Sequence, residues 1–402
     1  MANNNKVMLF LCDQSIVSPI LRSQGFPLLR ELAKRGWKCH VFSLEDRLNP
    51  NLQSQIRKLV HLYPGVEFHA FRLPRWPKWF GVPWNFQKII FFHVIFYRWV
   101  QRFPNLLIHS RSYFPTFGCL LIRRFYGGKL IFDHRGLVIE EHLQEGLWAK
   151  SGLIEKLMRW LLKQALLTAD HVVTVSNRAT KYLSINYNVP LKKITTIPNS
   201  FDPNRFLLDQ AIDNNSNRTM VYLGGVKYWQ NPIRIGEASE FYLNLIPDST
   251  VKIFSYENPD TILAQITDKN RPRLIYDKLS PDVVPYHLSN ASFGVIFRDD
   301  DIESYRSDIC SPIKFAEYLI CGLPVIVQDR IGDISDLVER EGIGQVFHPG
   351  IDSLESLLIK MDKMITKGGK NLREKCQATA RKYFALQNAV DAYEAIYCLP
   401  MD

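Results

Sequence analysis

The chain has 402 residues, which is enough for two or three domains, and its 46% hydrophobic and 22% charged residues are typical of a folded globular protein. This composition excludes a collagen, a coiled coil and a disordered chain. The net charge of +10 is unevenly distributed, since residues 1–205 carry 29 basic and 12 acidic side chains while residues 206–402 carry 21 and 28. We therefore expect the first half to contact a polyanion or an anionic membrane surface.

Short apolar runs alternate with segments of helical periodicity along the chain. Runs that are apolar on both faces are typical of buried parallel strands. In chain order the predicted strands are Val7–Cys12, 39–44, 106–109, 130–133 and 171–176, followed by 220–223, 251–255, 293–297 and 324–328. Predicted helices include 153–169 and a segment that stops at Gly368 and Gly369. The alternation predicts doubly wound α/β domains with parallel sheets.

A polar stretch at 213–218 lies where the charge changes sign and marks the predicted domain boundary. We assign residues 1–205 to an N-terminal Rossmann-like domain, 206–385 to a C-terminal one and 386–402 to a terminal helix. Because doubly wound sheets bind ligands at the carboxyl ends of their strands, we expect the site in the crevice between the two domains.

The seven cysteines are widely spaced and include no Cys-x-x-Cys pair, so they predict neither a disulfide framework nor a zinc site. The N-terminal segment leads directly into a strand-like run, without the charged start and apolar core of a signal peptide. The longest apolar run, residues 89–100, is too short to span a bilayer. These features predict a cytoplasmic protein and leave peripheral contact with the inner face of a membrane open.

The segment 308–328 combines a helix start with a buried strand. Ser311 is predicted to cap the helix and Pro312 to occupy its first position. Free backbone N–H groups there, together with Lys314, favour a diphosphate. Glu317, about one turn further on, would accept hydrogen bonds from ribose hydroxyls. A capped helix with a surface Lys–Glu pair is the alternative.

Together with neighbouring stretches, this segment resembles the nucleotide-sugar-binding region of retaining glycosyltransferases with the GT-B fold, of the family-4 type. The resemblance covers nearly the whole chain. The stretches that carry it are 23–26 with 32–36, 108–112, 132–136, 169–176, 197–202 and 311–325. It implies two facing Rossmann-like domains, with the terminal helix packing back toward the first.

The resemblance implies an enzyme that moves a sugar from a nucleoside diphosphate sugar to a lipid-linked or polysaccharide-precursor acceptor. The anomeric configuration would be retained by same-face attack, with the leaving diphosphate accepting the proton and no metal or other cofactor taking part. The residues of the second domain that would hold the donor in this segment are Asp308, Ser311, Pro312, Ile313, Lys314 and Glu317.

In this family two glutamates stand eight positions apart around the start of the helix. Glu317 matches the second, which lies near the ribose, whereas Ile309 stands in place of the first. Asp308 would substitute for the missing carboxylate if the loop shifts by one residue.

The resemblance also predicts a phosphate-binding element after the strand 220–223. Gly224 and Gly225 allow the backbone to approach a phosphate closely, and Lys227 would neutralise charge on the leaving group. The Arg and Lys that the family carries five positions apart fall here on Gly225 and Gln230. A plain strand–turn with a solvated lysine is the alternative.

In the first domain, Asp133 and His134 end the strand 130–133, where a doubly wound sheet binds its ligands. Both are candidate catalytic residues, together with Lys227 and Glu317 of the second domain. A buried structural histidine is the alternative for His134. The residues expected to contact the acceptor, through charge or a hydroxyl, are Ser18, His109, Arg111 and Arg135.

Residues 71–103 mix aromatic and basic side chains, which is typical of a membrane interface. Much of 89–100 also fits a buried helix, whereas the proline-containing stretch 76–84 fits an exposed loop. The same mixture fits nucleic acid, but no DNA- or RNA-binding motif accompanies it, so we predict no nucleic-acid partner.

The acidic triplet Asp299–Asp301 is interpreted as a solvated loop rather than a metal site, because no third ligand lies nearby. Two alternatives to sugar transfer remain: a nucleotide-sugar epimerase of the same fold, and a non-catalytic nucleic-acid-binding or scaffold protein with a degenerate sugar site. Ile309 in place of a glutamate keeps the second one open. A nicotinamide dehydrogenase is disfavoured because no Gly-x-Gly-x-x-Gly follows a first strand.

Overall fold

The computed structural model describes residues 6–45, 50–72, 84–103, 106–206, 218–299 and 307–400. The chain forms two units, one made of Met1–Pro198 together with Gln387–Asp402 and the other of Asn199–Leu386. Each unit contains a parallel sheet with helices between its strands. The predicted α/β architecture is therefore confirmed.

The strands described in the first unit are β1 (Val7–Cys12), β2 (Lys38–Leu44), β3 (Val66–Phe71), β4 (Leu107–Arg111), β5 (Lys129–Asp133), β6 (His171–Thr174) and β7 (Ile194–Thr196). They are parallel and lie in the order β3-β2-β1-β4-β5-β6-β7. Every residue of β1, β4 and β5 is buried, as expected when helices cover both faces of a sheet.

The helices described in the first unit are α1 (Pro19–Gln24), α2 (Phe26–Lys34), α3 (Leu52–Leu62), α4 (Trp84–Val100), α5 (Tyr113–Tyr126), α6 (Val138–Gln144), α7 (Leu153–Thr168), α8 (Asn177–Tyr187) and α15 (Leu386–Cys398). Ser176 caps α8 by accepting the N–H of Ala179 at 3.1 Å, and Asn188 ends that helix in the left-handed conformation. Phe92 and Phe96 of α4 are buried in the hydrophobic core of this unit.

The second unit contains the described strands β8 (Thr219–Leu223), β9 (Thr250–Phe254), β10 (Leu274–Asp277), β11 (Phe293–Ile296), β12 (Val325–Gln328) and β13 (Gly344–Phe347). They are parallel and lie in the order β10-β9-β8-β11-β12-β13. The helices are α9 (Pro232–Leu245), α10 (Asp260–Leu263), α11 (Val284–Ser289), α12 (Ile313–Ile320), α13 (Ile334–Glu341) and α14 (Leu354–Phe384).

One boundary differs from the sequence predictions. Residues 199–205, assigned to the first domain, lie in the second unit, because Phe201 pairs with Ala385 and packs in the core of that unit with Phe206. The predicted helix stop at Gly368 and Gly369 coincides with a break in α14: Gly369 has a non-helical backbone with a φ of 46°, and a second helical segment follows it up to Phe384.

Helix α15 packs in the first unit and is held there by charged contacts to its Glu394 side chain and to the carbonyls at its end. The Glu394 carboxylate accepts hydrogen bonds from the Lys6 ammonium at 3.1 Å, the Arg35 guanidinium at 2.7 Å and the Trp37 indole at 3.0 Å. The Lys129 ammonium donates to the carbonyls of Ile396 at 2.7 Å and of the following residue at 3.0 Å. A cation at this position satisfies the unpaired carbonyls that end a helix.

None of the helices in the described part of the chain combines the length and the apolarity needed to cross a bilayer. All seven cysteines are free thiols, and most of them are buried.

Candidate functional site

The second unit has a topological switch point between two neighbouring strands. The chain leaves β8 toward β9 and leaves β11 toward β12, which lie on opposite sides in the sheet. Doubly wound sheets bind ligands outside the carboxyl ends of such a strand pair. Gly224 follows β8 directly, and Arg298 stands just beyond β11. We therefore take this edge as the candidate site of the second unit.

The Lys314 side chain of α12 is buried and lies against Gly224. Its ammonium lies 4.1 Å from the ring centroid of Tyr222 and 3.4 Å from Oε1 of Gln230. A Cβ on Gly224 would fall 2.6 Å from the Lys314 nitrogen, and Gly224 has a φ of +136°. Only glycine leaves room for this lysine and takes this backbone conformation without strain.

Replacing Gly224 with alanine should displace the Lys314 ammonium and lower stability by about 1–3 kcal/mol through the backbone conformation alone. If Lys314 donates one charge-assisted hydrogen bond to an anionic ligand, its loss weakens binding by roughly 10–100-fold. Calorimetry with a panel of nucleoside diphosphates measures the effect. Gly350→Ala is the matched control, because Gly350 has a φ of +78° and nothing within 4 Å of an added Cβ. Equal nucleoside diphosphate affinity in both variants would contradict this contact.

A second cation, Arg298, joins Lys314 through Gln230. The side-chain oxygen of Gln230 accepts hydrogen bonds from the Arg298 guanidinium, from the Tyr222 hydroxyl at 3.2 Å and from Lys314 at 3.4 Å. An uncharged oxygen thus stands between two cations. A phosphate oxygen would balance the same donors with a full negative charge.

Burial lowers the pKa of Lys314 well below its usual range, and the neighbouring Arg298 lowers it further. Glu317 acts in the opposite direction, but burial raises the pKa of Glu317 itself, against the effect of Arg205. A bound anion would offset the cost of burying the Lys314 ammonium beside the Arg298 guanidinium, so this low-dielectric setting favours an anionic ligand.

Helix α12 begins one residue later than predicted. Pro312 is the N-cap residue, and no side chain caps the first turn. Ser311 is not the cap, because its hydroxyl accepts the N–H of Asn199 at 3.3 Å and its carbonyl accepts the Asn199 amide at 2.5 Å. The first turn, which starts at Ile313, therefore keeps backbone N–H groups without a side-chain partner, and these favour an anion.

Glu317 and Arg205 form an ion pair in the second unit, with an N–O distance of 3.3 Å. The Arg205 guanidinium also donates to the carbonyl of Pro281 at 3.0 Å. This pairing holds the Glu317 carboxylate at the side of α12 while leaving it the capacity to accept further hydrogen bonds.

Asp308 does not replace the missing glutamate in this structure. Its carboxylate accepts hydrogen bonds from the guanidinium of Arg330, the longer at 3.1 Å, and Ile309 beside it is buried. The Arg330 guanidinium is thus paired with the Asp308 carboxylate, the group that was expected to reach the donor. The expectation that Asp308 binds the donor is not supported by this arrangement, because a shift of the loop would break this ion pair.

A carboxylate from the loop after β9, which sequence reasoning did not identify, contacts the loop after β8. Glu257 accepts the N–H of Val226 at 2.6 Å and lies 3.3 Å from where a Cβ on Gly225 would be. Lys227 is exposed, with its ammonium 4.9 Å from the ring centroid of Trp229. One amide of this loop is therefore occupied by an acid, whereas Lys227 is accessible to a ligand.

The candidate residues of the first unit form a buried cluster around Asp133 at the end of β5. The Asp133 carboxylate accepts from Nε of Arg135 at 2.8 Å, from Nε2 of His109 at 3.0 Å and from the Tyr393 hydroxyl at 3.3 Å. Arg111 lies 3.5 Å away and donates to Gln24 at 2.7 Å. Burial alone would raise the pKa of Asp133, but Arg135, His109 and Arg111 hold it well below its usual range.

The structure places His109, an expected acceptor contact, inside the buried cluster. His109 is fully buried, its Nε2 donates to Asp133, and its Nδ1 accepts from the Tyr397 hydroxyl at 2.5 Å. Burial lowers the pKa of His109, which keeps the imidazole neutral. His109 and Asp133 are both fully buried, and their contacts hold Arg111 and Arg135 at the carboxyl ends of β4 and β5.

His134 follows Asp133 and is also buried. Its Nε2 and the Tyr113 hydroxyl are hydrogen-bonded at 2.9 Å, and its Nδ1 meets no partner among the described residues. Burial lowers the pKa of His134 to about 4, so the ring is neutral at pH 7. Ser18 stands apart from this cluster in its contacts, because its hydroxyl caps α1 by accepting the N–H of Ile20 at 3.3 Å.

Side chains that sequence reasoning did not assign join the two clusters, among them Arg205, Gln230 and Arg298 in the second unit, and Tyr393 and Tyr397 in the first. Of these, Arg298 has a usable sequence signal, since a charged residue directly follows a predicted buried strand. Asp299 is the member of the acidic triplet that lies in the described part, and it belongs to no candidate metal cluster found there. The other two, Asp300 and Asp301, lie outside it.

Both units are similar to known protein families. Residues 27–205 match the family Glycosyltransferase Family 4, and residues 241–387 match the family Glucosyltransferase 3-like, C-terminal domain. Over 74 residues the chain is 32% identical to Glucosyltransferase 3 of Streptococcus parasanguinis, a match that covers 18% of this chain and 21% of that relative. The chain thus spans about a fifth of the length of this curated relative.

Among solved structures, sucrose-phosphate synthase from Thermosynechococcus elongatus has a TM-score of 0.71 at 14% identity, over 98% of both chains. HepE from Anabaena, solved in complex with UDP-glucose, has a TM-score of 0.67 at 14% identity, over 98% of this chain and 100% of its own. The two family matches and the shared fold define a glycosyltransferase with the GT-B fold. Residues 27–205 are similar to the family-4 type of these enzymes. The predicted fold and enzyme class are therefore confirmed.

Proposed function

We propose that the protein transfers a sugar from a nucleoside diphosphate sugar, with UDP-glucose as the first donor to test, to a lipid-linked or polysaccharide-precursor acceptor. The observation that carries the proposal is the switch-point site of the second unit, where Lys314, Arg298 and the uncapped start of α12 converge. HepE was solved with UDP-glucose, which supports the choice of donor.

The donor diphosphate would accept hydrogen bonds from the first turn of α12 and from Lys314. In this proposal Gly224 and Gly225 let the phosphates approach the backbone, and Lys227 neutralises charge on the leaving group. Glu317 would accept hydrogen bonds from the ribose hydroxyls, with Arg205 holding it in position. Protein cations and backbone dipoles would supply the positive charge for this step, so we propose a reaction that needs no metal.

We propose that the anomeric configuration is retained by attack from the face on which the diphosphate leaves. The new glycosidic bond forms as the bond between the anomeric carbon and the phosphate oxygen breaks, and the leaving diphosphate takes the acceptor proton. Retaining hydrolases use a carboxylate as the nucleophile. Asp133 does not suit this role, because its oxygens already accept hydrogen bonds from His109, Arg135 and Tyr393. His134 is the remaining catalytic candidate at this strand end: its buried Nδ1 has no partner among the described residues, and a hydrogen bond to a sugar hydroxyl would require the ring to become accessible.

The acceptor would bind the basic first unit and carry negative charge. Arg111 and Arg135 bring two cations to one carboxylate, Asp133, which leaves an excess of positive charge at the carboxyl ends of β4 and β5. Burial lowers the pKa of Arg111 to about 10, which an anionic partner would reverse. Ser18, in the loop after β1, is the further proposed acceptor contact.

Exposed apolar side chains on three helices of the first unit support contact with an anionic membrane at the cytoplasmic face. They are Ile90, Val94 and Tyr97 on α4, Leu121, Phe125 and Tyr126 on α5, and Leu153, Leu157 and Trp160 on α7. The rings of Tyr97 and Tyr126 are in contact, with centroids 5.3 Å apart. Exposed Arg98, Arg124 and Lys156 lie on the same helices, and cations near apolar side chains favour anionic lipid. The loop part of the aromatic stretch, residues 73–83, lies outside the described residues.

Sedimentation with liposomes tests the membrane contact. We expect binding to vesicles that contain anionic lipid to exceed binding to neutral vesicles, and Phe125→Ser with Trp160→Ser to reduce it by roughly tenfold or more, since each ring contributes about 1.5–3 kcal/mol when buried. Ile185→Ser is the matched control, because Ile185 is exposed on α8. Equal partitioning onto neutral and anionic vesicles would contradict the charge argument.

Incubation with UDP-sugars and membrane lipid extract, followed by mass analysis and determination of the anomeric configuration, tests the proposed reaction. We expect a glycosylated lipid-linked product with retained configuration, and loss of product with Glu317→Gln. Donor interconversion or hydrolysis without need for an acceptor would favour an epimerase. Failure to bind any nucleoside diphosphate would favour a scaffold protein.

A further inference from the structure

Two histidines and a glutamate lie together on the edge of the first sheet, apart from both candidate clusters. His40 belongs to β2, and Glu67 and His69 belong to β3. In the register of the two strands, His40 pairs with Glu67 and Phe42 pairs with His69. Because side chains two residues apart share a face of a strand, all three groups lie on the same face of the sheet.

The three ligand-type atoms are separated by distances typical of a metal site. Nδ1 of His40 lies 3.3 Å from Nε2 of His69 and 3.2 Å from Oε2 of Glu67, and the His69 and Glu67 atoms are 3.9 Å apart. Tetrahedral zinc binds nitrogen and oxygen at about 2.0–2.2 Å, which sets its ligand atoms about 3.3 Å from one another. One ion therefore fits between the three atoms with small side-chain movements.

The surroundings hold the imidazoles and leave one side open. The ring of His69 stacks on Phe42 with centroids 4.6 Å apart, and Trp99 of α4 contacts the His40 ring at 4.6 Å. Glu67 is 66% exposed, so a water molecule can reach the fourth position of a tetrahedral ion. Imidazole and carboxylate ligands together suit zinc rather than magnesium.

We propose that His40, Glu67 and His69 bind a divalent transition-metal ion of the zinc class. His40 and Glu67 lie in the first half of their strands, whereas sugar transfer is proposed at carboxyl ends of strands. The ion would connect edge strand β3 to β2 and stabilise the edge of the sheet. It would take no part in the reaction.

Calorimetric titration of the untagged, chelator-treated protein with Zn²⁺ tests the proposal, with Mg²⁺ as the comparison ion. We expect one Zn²⁺ per chain and a higher melting temperature when it is bound. Loss of an outer partner of a metal site costs about 10–100-fold in affinity, so loss of a direct ligand should cost at least about 100-fold. His69→Gln and Glu67→Gln are the variants, and exposed His61 supplies the control His61→Ala.

Glu67→Gln keeps the test valid if a histidine variant fails to fold, because the exposed Glu67 side chain contributes little packing. Stoichiometric Zn²⁺ binding that Glu67→Gln weakens and His61→Ala retains supports the site. Absence of Zn²⁺ binding, equal affinity in all variants, or preference for Mg²⁺ would overturn it. In that case the three groups are a hydrogen-bonded cluster only.

Discussion

Replacing Lys314 with methionine is expected to lower sugar transfer by about 100–1,000-fold, the usual cost of removing one preorganised charge from a developing anion. The fold should be retained, because methionine fills the space of the buried lysine stem and avoids the cost of burying an ammonium beside Arg298. Initial rates with UDP-glucose, calorimetry with UDP and thermal unfolding measure these effects. Lys360→Met, at an exposed position of α14, is the control.

The same lysine gives donor binding a pH dependence with a defined sign. The pKa of Lys314 lies well below its usual range in the free protein, and a bound diphosphate would raise it. Donor binding should therefore take up a proton and weaken as pH rises, starting below the pH at which an ordinary lysine loses its proton. Unchanged transfer in Lys314→Met, or proton-neutral binding at alkaline pH, would show that the diphosphate binds elsewhere.

Asp133→Asn should lower the free energy of unfolding by about 3–5 kcal/mol, since it leaves Arg111 and Arg135 buried without a counter-charge. Urea denaturation, monitored by a spectroscopic signal that reports on the first unit, measures this loss. Asp268→Asn is the control, because the Asp268 side chain is 99% exposed and pairs only at the surface with Arg271. Equal stability of Asp133→Asn and the native protein would contradict the role of the cluster.

The acid dependence of stability follows from the depressed pKa of Asp133. A carboxyl whose folded pKa lies below its unfolded value, about 3.9, contributes its full stability above that value and loses it as the pH falls further. The native protein should therefore lose stability below pH ~4 more steeply than Asp133→Asn does. Denaturation midpoints between pH 3 and 6 would show the difference.

The central strands of both sheets could be predicted from the sequence, but the edge strands could not. The predicted run Val7–Cys12 coincides with β1, and 39–44 differs from β2 by one residue. The strands that the sequence reading did not include, β3, β7, β10 and β13, are the outermost strands of the two described sheets. Edge strands have one partner and partial exposure, so they lack the run that is apolar on both faces.

The candidate site shows a similar limit. Lys314 and Glu317 were predicted because they share one short helix with a clear start. Arg205 and Gln230 approach them from distant parts of the chain, so no local pattern identifies their contact. His109 was predicted at the acceptor rim and lies buried in β4, as the apolar residues before it, typical of a fully buried strand, indicate.

The return of α15 to the first unit has a consequence for how the polypeptide folds during synthesis. Val390, Tyr393 and Tyr397 are buried parts of that unit, so a ribosome that has released only residues 1–198 has produced an incomplete core. The second unit is continuous from Asn199 to Leu386 and can close earlier, although its residues are made later. A fragment that ends at Pro198 would expose apolar surface to which chaperones bind. A fusion partner at the carboxyl end would be attached directly to the first unit, next to α15.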